Sequence, residues 1–118
     1  MSQTTALNLL PQTIAVVTGD KQPGVSYYTS GKTLQTITWK LTAFLGTVVI
    51  QSSLSENPTT DSEWFPIYNL VCTPGNNNGG TILTPAISFV NITGNFAWVR
   101  AKVTTYTSGT INFIKVCY

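Results

Sequence analysis

Residues 33–42 read TLQTITWKLT. Ile37, Trp39 and Leu41 fall on one side of an extended chain; Thr36, Thr38, Lys40 and Thr42 fall on the other. A period of two over this length marks a half-buried antiparallel strand, one face on a core and one in water. The same reading extends outward. Residues 46–54 (GTVVIQSSL) resume after a tight bend through Ala43, Phe44 and Leu45. Residues 95–105 and 110–118 form a closing hairpin around Thr107-Ser108-Gly109. Shorter runs at 13–18, 25–29, 63–70 and 81–90 complete about eight strand-like segments. Pro66 places the 63–70 run at an edge or a bulge, because proline has no amide to donate to a ladder.

The punctuation agrees. GDKQPG at 19–24, SGK at 30–32, SENPTTDS at 55–62 and NITG at 91–94 are turn-forming clusters. TPGNNNGG at 73–80 has nothing to bury and reads as a mobile loop tip. No segment sustains a 3.6-residue apolar period. Thr, Val, Ile and aromatic residues dominate, and these fit a pleated surface. Short strands at this spacing predict an all-β, antiparallel β-sandwich, jelly-roll-like, of about eight short strands. Residues 13–118 make one sandwich domain. Residues 1–12 lack alternation and read as an N-terminal arm reaching a neighbour or as a first strand.

The chain has 118 residues, enough for one domain that removes roughly two thirds of its unfolded surface from water. Only 8% of residues are charged, against about 25% in an ordinary globular domain. The surface must then be built of Thr, Ser, Asn and Gln, which repel neighbours weakly. That suits a protein packed against copies of itself or other proteins, or a secreted adhesive module. The net charge of +2 comes from six scattered cations. They form no phosphate-tracking stripe, so no nucleic-acid partner is expected. No run approaches the ~20 apolar residues of a membrane helix. The start lacks the features of a signal peptide, so a soluble protein made in the cytoplasm is expected.

Histidine is absent. Ser-His-Asp, Cys-His and His-metal chemistry are therefore excluded, and no cofactor and no enzymatic activity are expected. Glu56, Asp61 and Glu63 could supply oxygens to calcium or an acid–base pair, but lack the Asp-x-Asp-x-Asp-Gly spacing that focuses charge on one point. The glycine-rich loop has no Lys-Ser/Thr and is no phosphate cradle. Asn91-Ile92-Thr93 matches a glycosylation sequon. Cys72 and Cys117 read as free thiols or, if the fold brings them together, as a pair.

The 95–105 run has two faces. Ala97, Val99, Ala101 and Val103 suit a tight interior; Phe96, Trp98, Arg100 and Lys102 face outward. Trp beside Arg on an open face is typical of interface anchors. The alternative is that Trp98 lies under a loop, with Arg100 and Lys102 merely solvated. Leu9 and Leu10 join the candidate interface as apolar residues of the arm.

Residues 91–118 (NITGNFAWVRAKVTTYTSGTINFIKVCY) resemble the C-terminal hairpin of small β-sandwich modules in tailed-phage virion proteins. The shared features are a Gly before the strand, an aromatic-Val-Arg-Ala-Lys-Val core, Thr-Ser-Gly-Thr and a final aliphatic strand. Residues 33–67, with Gly-Thr between strands and a Trp-Phe-Pro-Ile strand, are similar to the same modules. The likeness is greatest to structural proteins of contractile-tailed phages that infect cyanobacteria. It covers residues 33–118. It implies a virion structural protein assembled in the host cytoplasm. The expected role is a capsid decoration protein that binds the major capsid protein or another virion protein as a homo-oligomer, dimer or trimer. The alternative is a tail, neck or fibre module that attaches to other virion proteins or binds a host-surface glycan.

Overall fold

The computed structural model describes residues 6–24, 34–55, 57–73, 86–94 and 96–117. Its strands, in chain order, are β1 (Ala6–Leu10), β2 (Gln22–Pro23), β3 (Leu34–Ser53), β4 (Phe65–Cys72), β5 (Ala86–Thr93) and β6 (Trp98–Cys117). A single 3-10 turn, Asp61–Glu63, precedes β4. The chain is all-β, and every pairing is antiparallel.

β3 and β6 are each 20 residues long and run side by side through the centre. On the far side of β3, β5 pairs with its first half and β4 with its second. On the far side of β6, β1 pairs with the C-terminal end and β2 with the start. Isolated bridges Thr13↔Ile111 and Thr18↔Lys102 hold the intervening segment.

The expectation of about eight short strands needs correcting: the described residues form six, and two of these are long. Within the described residues the runs expected at 33–42 and 46–54 fall in one strand, β3, and those at 95–105 and 110–118 fall largely in another, β6. Each long strand bends without losing its partner. The register slips between Lys40 and Val48, where Ala43 (φ 51°) and Gly46 (φ 152°) take up the change of direction. Opposite them Gly109 sits at φ 87°. A Cβ there would strike the Ala43 carbonyl, so the close approach of the two strands requires glycine. The 13–18 run forms no continuous strand: it meets β6 at the Thr13↔Ile111 and Thr18↔Lys102 bridges, and Ile14 and Val16 between them are exposed. The NIT of the expected 91–94 turn lies inside β5. The run 25–29 and the loop tip 74–80 lie outside the described residues.

The bend divides the sheet into two arms. The first holds β1, the end of β6, the start of β3 and β5. The second holds β2, the start of β6, the end of β3 and β4. Inward side chains of both arms share one core: Ile37, Trp39 and Leu41 from the first, Val48, Ile50, Val99, Ala101 and Val103 from the second. The Trp39 ring stacks on Tyr68 at 5.8 Å, joining β3 of one arm to β4 of the other. Phe44, fully buried at the bend, packs against Tyr106.

Leu9 and Leu10 are both buried although adjacent, since a bulge between Asn8 and Leu10 turns both inward. That bulge is why the segment shows no alternation. β1 is a strand of the chain's own sheet, paired with the end of β6. Two inward polar side chains find backbone partners: Ser52 donates to the Trp98 carbonyl at 2.9 Å, and the Gln35 amide to the Gly94 carbonyl. The buried Trp39 indole N–H has no hydrogen-bond partner among the described residues.

Candidate interaction surfaces

The second arm carries most of the aromatic and basic residues singled out in the sequence. Alternation along β6 buries Val99, Ala101 and Val103 and turns Trp98, Arg100 and Lys102 outward. Arg100 is nonetheless almost covered, its side chain 11% exposed. Its Nε donates to Gln51 Oε1 at 2.7 Å, from the neighbouring position on β3. Its Nη2 donates to Asp61 Oδ1 at 2.9 Å. Its guanidinium lies 4.3 Å from the Trp64 ring centre. Lys102 Nζ stands 3.8 Å from the other Asp61 oxygen. Lys21 lies over the Trp98 ring at 4.9 Å and donates to Asn57 Oδ1. Phe96 packs against Phe65 and the edge of the core.

The geometry therefore straps the 57–64 segment onto the outer face of β3 and β6. Glu63 ties the segment internally by accepting from the backbone amides of Thr59 and Thr60. The hydrogen bond from Arg100, then the charge of Lys102, holds the Asp61 carboxyl below its ordinary range. The Thr60 and Thr59 amides do the same for Glu63. Asp61 and Glu63 are thus engaged with cations and amides, and among the described residues no group of three His, Cys, Asp or Glu could hold a metal ion. Glu56 lies outside the described residues. Leu9 and Leu10 are spent on the chain's own core.

The first arm presents a different surface. Its outward rows follow from the pairing. Phe89, Thr38, Lys115 and Asn8 lie across one row; Ile87, Lys40 and Phe113 across the next; Asn91, Thr36, Cys117 and Ala6 across a third. Ile87 is 66% exposed and Phe89 63%. Lys115 lies 4.7 Å from the Phe113 ring centre. Thr36 donates to Asn91 Oδ1 at 2.7 Å and Thr38 to the Ser88 carbonyl at 3.0 Å. These rows carry two lysines, no acidic residue and a lattice of hydroxyl and amide groups. Cys117, half-buried here, and Cys72, buried in the core, form no disulfide with each other.

Ile87 and Phe89 were not among the residues the sequence suggested. The run AISFVNIT does alternate, but both its faces are apolar: Ile87 and Phe89 on one, Val90 and Ile92 on the other. Period alone does not say which pair goes in. A third feature is an open groove of about 440 Å³ under residues 10–20, edged by Ile14 and Val17.

No known protein family, no curated protein and no solved structure matches this chain.

Proposed function

We propose that this chain is a structural protein of a tailed-phage particle, a decoration protein that binds the assembled head shell. In this reading the bent sheet works as a jelly-roll-like sandwich, its outer first-arm face applied to neighbouring shell subunits. The observation that carries the reading is the outward exposure of Ile87 and Phe89 within a nearly uncharged Thr/Asn lattice. Large apolar side chains held open on a flat polar sheet mark a protein-contact surface. The charges on that face, Lys40 and Lys115, call for an acidic rim on the partner. The low charge of the whole chain and the resemblance of residues 33–118 to virion modules support the same reading.

The test is to assemble particles with and without this chain. Particles lacking it should lose their contents at lower temperature and under milder osmotic shock. The Lys40→Glu/Lys115→Glu variant should bind the shell at least about tenfold more weakly, equivalent to some 1.4 kcal/mol. Unchanged particle stability together with lost adsorption to cells would replace the shell role by that of a tail, neck or fibre module.

A further inference from the structure

Among the described residues four strands bound the sheet on the outside, and three of them are blunted. β1 is five residues long, bulged after Asn8 and followed by Pro11. β2 is two residues long and ends in Pro23. β4 carries Pro66 at a register shift. These are the ordinary devices by which an edge is kept from pairing with another chain.

β5 has none of them within its length, although Pro85 directly precedes it in the sequence. It runs eight residues, AISFVNIT, in unbroken register from Leu34↔Thr93 to Leu41↔Ala86. It has no proline and no charged residue. Among the described residues it pairs with β3 on one side only. Its outward side chains include two of the most exposed large apolar groups in the structure, Ile87 and Phe89.

We propose that β5 is a self-association edge: two copies of this chain pair antiparallel along it, centred on Phe89. The inference stands apart from the phage reading and needs only the edge. In this register Phe89 meets Phe89 of the second copy on the outward face. Ile87 lies on the diagonal, within reach of the same aromatic ring. The occupant is a second copy because nothing on the strand opposes itself. A two-fold axis brings no like charges together on β5. The nearest lysine, Lys40, sits one strand back on each side. Lys40 and its counterpart are thus separated by at least three strand spacings, roughly 14 Å, beyond the ~8 Å over which exposed charges act at physiological salt. The product is one continuous sheet face, with the first-arm surface doubled in width.

The isolated chain, 12.8 kDa, tests this by sedimentation equilibrium. The wild type should sediment at twice the chain mass at submillimolar concentration. Phe89→Lys and Ile87→Lys should each weaken the dimer at least about tenfold. Val71→Lys, at an exposed position on β4, and Lys40→Glu/Lys115→Glu should leave the mass unchanged. Amide exchange of the wild type needs no variant: protection of residues 86–92 should rise with protein concentration. A wild-type monomer, a trimer, a dimer that survives Phe89→Lys, or concentration-independent protection of β5 would overturn the proposal. None of these outcomes bears on whether a shell is bound.

Discussion

At the scale of single residues, Gly109 is the position on which the bend depends. Its φ of 87° and its contact with the Ala43 carbonyl exclude any side chain. Ala43 itself, at φ 51°, already holds a conformation that disfavours a Cβ. Gly109→Ala should therefore destabilise the chain by at least about 2 kcal/mol, a fall in Tm of roughly 8 °C. Thermal unfolding followed by circular dichroism reads this directly, and an unchanged Tm would mean the bend tolerates a wider approach. Sequence reading found the bend as a turn at both places. It did not find that the strands continue through it. Turn-forming residues report where the chain changes direction, whereas continuity of pairing depends on the partner strand. Arg100 shows the same limit. Its outward direction followed from alternation, but its burial comes from Gln51, Asp61 and Trp64, which lie 36 or more positions away in sequence.

At the scale of elements, the 57–64 segment is held to the sheet by charge. Asp61 and Glu63 both have lowered pKa values, so their carboxylate forms are favoured by folding. Such groups contribute stability above their ordinary values, 3.8 and 4.5, and lose it as pH falls from there through the lower folded values. The segment should accordingly loosen only as the pH falls below those ordinary values, while the sheet persists, since both carboxylates are exposed and Arg100 keeps its Gln51 partner on β3. Backbone NMR resonances of residues 59–64 should broaden or shift below pH about 4, ahead of those of β3 and β6. In Asp61→Asn the change should already be present at neutral pH for the contacts to Arg100 and Lys102, leaving the Glu63 capping to titrate alone. Coincident loss of segment and sheet in the wild type would show instead that the strap is part of the global fold. For β5, the element was visible as a strand in the sequence, but its outer face was not. With apolar residues on both sides, only the position of β3 and the shared core selects Val90 and Ile92 for the interior.

At the scale of the whole molecule, the pairing is non-local. β1, at the start of the described chain, lies against the last residues of β6, and β3 meets β6 across the intervening β4 and β5. Loop-closure entropy must be overcome before these contacts form, so refolding from denaturant should take about 10 ms to seconds rather than microseconds. Stopped-flow fluorescence of the three tryptophans measures it, and a microsecond phase carrying the full amplitude would contradict this topology. By itself the sequence determined that the chain is all-β and antiparallel and that Ile37, Trp39 and Leu41 of β3 and Val99, Ala101 and Val103 of β6 face the core. It also excluded histidine-dependent chemistry. Each of these follows from local properties: a period of two, β-branched composition and the absence of one side-chain type. Only the tertiary structure decided that four apparent strands are two long bent ones. It also decided that Leu9 and Leu10 both point inward, that Arg100 is covered, and that Ile87 and Phe89 are left in the open. The reason is the same in every case. A strand's period sorts its residues into two faces, but which face is buried, and how far a strand runs, is set by neighbours distant in the chain.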